Sequence, residues 1–508
     1  MHPTITVTLT GLSLLLMSIN LCPATSSVLL SDLFLPTFEH PVRFKLDRHE
    51  PFSSALAARS LSEPCGPEER SATMEPVVVE MPLTGIPKDY GYTATFSIGT
   101  YDTDVQDRLF HLLIDTGSDL VVLTSEDCTD PECLKVPHRF NCSASLTCAP
   151  VINTLTGNER AVQRYGDGTK AEGRLVQDTV RFVAADPVSE LDTTTTTTTN
   201  SACTGLTLLD QSMLLVDRPG LRLFKSYGSA VDGILGLNLG SPVITKTVIQ
   251  NLRNMTLTTL QDLPPSGIPP SSLASLSSSS TSFSYFLDQP LSLQDSAAVG
   301  IGFMSLWLGH SYERGQGGEL LLNAVDPSRF KGPVLWTERG PSPYDWTVPL
   351  DRGLWLLDPL SGQEEAPLVG SALTYAVMDS GSDGIYLQRS MYDALFQKVA
   401  GARQLAETGY WRVPCEGTME LVFGIQGETY RIPYADWVKK PSLTTTTESA
   451  NASANATMME SGINMCKSRV YGSSPGPILL GSTFMRTVYT IFDFSRPGQE
   501  RVGLARLA

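Results

Sequence analysis

Apolar and polar residues alternate along much of the chain with a period of two. YTATFSI (92–98), RLVQDTVRFV (174–183), GELLLNAV (318–325), WTVPL (346–350), MELVFGI (419–425) and TVYTIFDF (487–494) all read this way. Gly and Pro stand between them as turn signals, so the pattern predicts a mostly β protein. A convincing helical period occurs once, in RSMYDALFQKVAGA from residue 389, with Ser390 as expected N-cap and Asp393 three residues on. Three stretches carry no apolar pattern: DTTTTTTTN (192–200), DLPPSGIPPSSLASLSSSSTS (262–282) and TTTTESANASANAT (444–457). None can bury a face, so each reads as a surface insertion.

At 508 residues, 41% of them apolar, the chain can form one large bilobal unit or two to three ordinary domains. A formal charge of −16 argues against nucleic acid or anionic membranes as partners. Residues 1–27 read as a secretory signal, with the apolar run ITVTLTGLSLLLMSINLC ahead of Pro23-Ala24; an uncleaved anchor is the alternative. No other stretch is long and apolar enough to span a membrane, so none is expected once the signal is removed. Residues 28–76 include the locally basic FEHPVRFKLDRHE and read as either a tail or a removable prosegment.

Nine cysteines agree with an oxidising compartment. Three bridges, Cys128–Cys133, Cys142–Cys148 and Cys415–Cys466, are compatible with their positions, although spacing leaves the connectivity open. Cys22 would leave with the signal, and Cys65 and Cys203 are left over. No CxxC or HExxH occurs and the His are scattered, so no metal is expected. Asn141, Asn254, Asn451 and Asn455 begin Asn-x-Ser/Thr triplets and are glycosylation candidates.

The most informative feature is a repeat. LLIDTGSDLVVL (112–123) aligns with the later YAVMDSGSDGIYL (375–387), so that Asp115, Gly117, Ser118, Asp119 and Leu123 match Asp379, Gly381, Ser382, Asp383 and Leu387 at one constant offset. A lone Asp-Thr/Ser-Gly should occur by chance in roughly a quarter of chains this long. Two copies in register, each after an apolar strand, are not explained by a pair of Asx turns. A second element also repeats: VDGILGLNLG and GPILLGSTF each end an apolar strand in Leu-Gly, at Leu235-Gly236 and Leu480-Gly481. Gly there permits close approach of the Asp loop. Two similar lobes would then meet with one Asp loop from each at the junction.

These motifs resemble the pepsin family of aspartic proteases, over residues from about 80 to 508. YGDGTKAEGRLVQDTV (165–180) resembles the family's flap hairpin, with Tyr165 as flap tyrosine and Gly166 beside it. Cys128 and Cys133 match its first small disulfide loop, and Cys415 and Cys466 its C-terminal-lobe bridge. DSGS in the second motif, followed by MYDALFQKV, is similar to the β-secretase branch, whose membrane anchor has no counterpart here. The resemblance implies a bilobal fold of two pseudo-symmetric β lobes, 77–295 and 296–508, with the active site in the cleft between them. It makes 28–76 a prosegment, with Lys45 in VRFKLDR (42–48) directed at the cleft.

Two carboxylates held that close share one proton. The ionised member can take a proton from a water while the other polarises a peptide carbonyl. Gly117 and Gly381 allow tight turns with N–H groups aimed at the carboxylates. By resemblance, Thr116 and Ser380 cross-link the loops, and Ser118 and Ser382 bond the outer carboxylate oxygens. The implied function is a monomeric aspartic endopeptidase for polypeptides, without cofactor. It would be a secretory zymogen acting outside the cell or in an acidic vacuole or lysosome-like compartment. The rival is a catalytically inactive pepsin-fold binder or inhibitor, but such proteins usually lose an Asp, a motif Gly or the flap Tyr, and all are present here. Three positions depart from the family. Val122 and Lys170 stand where an indole can partner the flap tyrosine, and Ser482 stands where many members carry an Asp.

Overall fold

Strict alternation produces strands with one covered face, as in Val79–Gly85, where buried and exposed side chains alternate. Continuous apolar runs produce strands buried on both faces, as in Val121–Thr124. The computed structural model describes residues 79–86, 91–101, 109–166, 168–183, 206–219, 230–255, 301–310, 317–368, 374–439, 464–473 and 476–508. The expected signal and prosegment, the three low-complexity stretches, Cys22, Cys65, Cys203, Asn451 and Asn455 all lie outside the described residues.

The protein is mostly β, and one small topology occurs twice. In the first copy Leu109–Asp115 runs parallel to Gly233–Gly236, and Val121–Thr124 lies antiparallel on the other side of that strand. In the second copy Thr374–Met378 runs parallel to Ile478–Leu480, with Ile385–Gln388 antiparallel on its far side. A strand thus leaves the sheet at an Asp, turns, and re-enters with a Leu-Gly strand threaded between its two arms. The bilobal reading rests on this duplication.

A third assembly joins the copies. Val79–Gly85, Gly318–Leu322, Phe303–Leu308, Val488–Asp493, Arg501–Leu507 and Phe330–Glu338 pair in that order. An N-terminal strand therefore sits among C-terminal ones, while Thr84 and Gly85 also pair with Thr93 and Tyr92 of the first lobe. Trp346, fully buried, donates from Nε1 to the Leu237 carbonyl at 2.8 Å, while its own carbonyl accepts from Met378 N at 2.8 Å. Arg253 reaches Glu500 at 3.1 Å and the Phe494 carbonyl at 2.9 Å. All three disulfides, Cys128–Cys133, Cys142–Cys148 and Cys415–Cys466, are closed.

The helix expected from 389 forms over Arg389–Gln397, but Ser390 is not its cap. Gln388 holds that position without a side-chain hydrogen bond. The strand Ile385–Gln388 runs straight into the helix, which leaves Ser390 inside the first turn. Asp393 accepts instead from Arg389 Nε and Trp411 Nε1, each at 2.9 Å. A second helix, Val248–Arg253, starts with a capping box between Thr247 and Gln250 that the sequence carried and the periodicity did not.

On one face of the joining sheet, Glu319 lies opposite both Pro82 and Trp307, with Glu80 diagonal to it. Arg329 stacks on Trp307 at 3.9 Å and stands 3.4 Å from Glu319 and 3.2 Å from Asp326. Burial first, then the charges of Glu80 and Asp326, push the Glu319 carboxyl up to about 7. A raised native value favours the protonated native state, so this contribution is complete below about pH 4.5 and is lost as pH rises through about 7. Glu319→Gln should therefore stabilise the protein at pH 8 by about 1 kcal/mol, allowing for solvent screening, and change little at pH 4. Urea midpoints at the two pH values check this. Destabilisation at both would mean that the Arg329 contact outweighs the repulsion.

Candidate active site

Asp115 closes its strand and Asp379 directly follows Thr374–Met378, so the duplicated topology delivers one carboxyl from each lobe. Both are buried, at 5% and 7% exposure. Asp115 Oδ1 accepts from Gly117 N at 2.9 Å and Oδ2 from Ser118 Oγ at 2.5 Å. Asp379 repeats this with Gly381 N at 3.0 Å and Ser382 Oγ at 2.6 Å. The two carboxyls act on each other directly, so their titrations are linked. Both are raised above the usual carboxylate range. Burial is the main cause for each, and the charge of Asp379 adds to it at Asp115, while the serine hydroxyls oppose it.

The turn glycines are what allow the approach. A Cβ on Gly117 would lie 2.5 Å from Asp379 Cγ, and one on Gly381 would strike Asp115 Oδ1. Each lobe's glycine therefore makes room for the other lobe's acid. Below them, Thr116 and Ser380 lock the loops reciprocally. Thr116 Oγ1 donates to the Met378 carbonyl at 2.8 Å and accepts from Ser380 N at 3.0 Å. Ser380 Oγ donates to the Ile114 carbonyl at 2.7 Å and accepts from Thr116 N at 3.1 Å. Gly236 N and Gly481 N donate to the Leu120 and Gly384 carbonyls, each at 3.0 Å, tying each Leu-Gly strand to its Asp loop.

Tyr165 and Gly166 belong to a hairpin between Arg160–Arg164 and Lys170–Phe182, closed by Tyr165 N donating to the Thr169 carbonyl at 3.0 Å. The Tyr165 ring packs on an apolar cluster that includes Leu113, Leu120 and Val122. Gly166 approaches the other lobe closely enough that a Cβ would lie 3.2 Å from Leu479 Cδ1. The hairpin thus reaches from the first copy to the second. Leu479 was not singled out from the sequence, although it immediately precedes the repeated Leu480-Gly481. Val122 is fully buried and Lys170 exposed. Asn141 and Asn254 are both exposed; the Asn141 side chain accepts from Ala144 N at 3.2 Å. Among the described residues, no cluster of three or more His, Cys, Asp or Glu could hold a metal, and no helix is long and apolar enough to cross a membrane.

A family model described as eukaryotic aspartyl protease matches residues 91–261 and 195–507. The chain is 22% identical over 421 residues to a Trichophyton verrucosum protein named "Probable aspartic-type endopeptidase CTSD", covering 82% of this chain and 61% of that one. It thus spans less than two thirds of that relative's length. It is 26% identical to mouse (Mus musculus) pepsin A-5, covering 83% of this chain and 82% of the relative. Mouse cathepsin E is also 26% identical, with 89% and 87% covered.

The reciprocal lock has a measurable worth. Ser380→Ala removes one donor and one acceptor from buried partners, and Thr116→Val does the same from the other side. Each should cost about 2–3 kcal/mol in urea unfolding, and because the two hydroxyls make four separate bonds the double variant should cost close to the sum. Losses under about 0.5 kcal/mol in both would show that packing alone holds the loops.

Proposed function

The chain belongs to the eukaryotic aspartyl protease family, and from that premise we propose that it is an aspartic endopeptidase, made as a secretory zymogen, whose catalytic residues are Asp115 and Asp379. One observation carries the reading: each turn glycine leaves room only for the opposite carboxyl, so the two acids are forced into contact. A pair so placed cannot ionise fully. One member holds a proton and can donate it to a peptide carbonyl; the other is a base for a water between them. Water attacks the carbonyl carbon directly, the amine leaves with a proton from the dyad, and no acyl-enzyme forms.

The substrate is an extended polypeptide lying between the lobes beneath the hairpin of Tyr165 and Gly166, whose bulk excludes water from the dyad. Ser118 and Ser382 hold the outer oxygens, so the inner oxygens face the reacting atoms. Residues 1–27 direct the chain into the secretory pathway, and 28–76, with the basic VRFKLDR, are a prosegment released when acid protonates carboxylates that pair with it. The working compartment is extracellular or an acidic organelle.

Unfolded globin incubated with the purified protein between about pH 3 and 6.5, with and without a statine-type inhibitor, tests the activity. Inhibitor-sensitive cleavage is expected, with an optimum at about pH 4–6; Ser482, which adds no further negative charge beside the dyad, eases the ionisation of the pair rather than opposing it. Asp115→Asn and Asp379→Asn should each abolish it with the fold retained, since an amide is neither base nor shared acid. A tenth of wild-type activity in either variant would rule out the shared-proton mechanism.

Activation is read separately. The full-length chain should gain activity on acid treatment together with a cut between 65 and 80, a region near Cys65. An uncut chain as active as the processed one would remove the zymogen from the reading.

A further inference from the structure

Each repeat carries a second carboxylate four residues after the first, Asp119 and Asp383, which the chemistry above leaves unused. Uncompensated, such charges make a neighbouring dyad harder to ionise. The two lobes treat them differently. Asp383 Oδ2 accepts from Lys439 Nζ at 2.6 Å and from Tyr471 OH at 3.2 Å, and Arg469 Nη1 stands 3.8 Å away. Lys439 also donates to Tyr471 OH at 2.8 Å. The pair is largely covered, with side-chain exposures of 21% for Lys439 and 12% for Asp383.

The pair is mechanically joined to the dyad. The Asp383 carbonyl accepts from Thr483 Oγ1 at 2.7 Å and Ser482 Oγ at 3.3 Å. Ser482 N donates to the Ser382 carbonyl at 2.8 Å, and the Ser382 hydroxyl holds Asp379. Gly384 has no room for a Cβ against the Arg469 carbonyl and the Tyr471 ring. The loop is therefore held on both sides of Asp383. Lys439 is pulled below the usual lysine range by burial, against the charge of Asp383, with Arg469 and Lys467 adding to the lowering. Tyr386 lies against Tyr471 with ring centroids 4.9 Å apart and planes tilted by 37°, and the buried Arg486 guanidinium donates to Ser482 Oγ at 3.4 Å on the other side of the loop.

Asp119 meets no such cation among the described groups acting on it. Its carboxyl is raised by burial, opposed by a hydrogen bond with Ser241, and raised further by the charge of Asp345. Asp345 itself accepts from Asn238 Nδ2 at 2.9 Å and Ser342 Oγ at 2.6 Å.

We propose that Asp383 and Lys439 are positioning residues for the dyad, whose ion pair pins the Asp379 loop and cancels the second carboxylate's charge, keeping the working range acid. This rests on the protease reading of Asp115 and Asp379. A merely structural pair would lower stability when either member is lost, whereas an electrostatic one moves the dyad in opposite directions.

The test compares Asp383→Asn, Lys439→Met, Lys439→Arg and the Asp383→Asn/Lys439→Met double variant with wild type. The readouts are the pH profile of kcat/KM and an infrared difference titration of the protonated carboxyl band, with Asp379→Asn as the blank. Asp383→Asn should move both limbs to lower pH by about half a unit, and Lys439→Met to higher pH by as much. The double variant and Lys439→Arg should return close to wild type. Shifts in the same direction, or none, overturn the proposal even where melting temperatures fall. The infrared titration needs no turnover. An inactive wild type with opposite infrared shifts would therefore sink the protease reading, and with it the working range, while upholding the charge coupling of Asp383 and Lys439 to the carboxyl pair.

Discussion

Two carboxyl groups in contact, away from water, cannot both be charged. Everything around Asp115 and Asp379 serves to impose that contact and to make it tolerable. Left to itself the chain would separate the acids or expose them, since burying even one ionised carboxylate costs several kcal/mol. The fold prevents this by making the loops mutually dependent. Among the described residues, the Thr116 hydroxyl and amide bond groups of the second lobe, and those of Ser380 bond groups of the first. Moving the acids apart would strand these buried donors and acceptors, so the repulsion is held in check by these hydrogen bonds.

The same logic extends outward. Trp346 bridges the lobes through the carbonyl just after Gly236, and Arg253 reaches from a first-lobe helix to the closing strands. The sheet beneath takes strands from both ends of the chain. Rigidity at the dyad is therefore a property of the whole molecule rather than of two turns. The asymmetry lies one step further out, where Asp383 is given a cation and Asp119 faces another acid.

What could be read from the sequence follows from range. The period-two strands were legible because alternation is local, and YTATFSI became Tyr92–Ile98 without adjustment. The dyad loops were legible because one physical requirement is written twice. Ser390 misled because capping depends on how the preceding strand enters the helix, which Gln388 decides and no local pattern reveals. The helix Val248–Arg253 is too short to display a period, although Thr247 and Gln250 marked its start. Lys439 gave no signal, since its partner lies 56 residues away and only the fold brings them together. Leu479 was invisible as a cleft residue for the same reason: it matters through Gly166, on a hairpin of the other lobe.

The reciprocal lock also has a consequence in time. Thr116 and Ser380 are separated by 264 residues, and the strand Arg501–Leu507 completes the sheet that holds Val79–Gly85. Contacts of such long range are slow to form, because a large loop must close before they return any free energy. During synthesis the first lobe emerges with Asp115 in place and nothing opposite it. A half-made chain therefore holds one acid and no pair, and the reactive geometry comes into being only when nearly all of the polypeptide is available to enclose it.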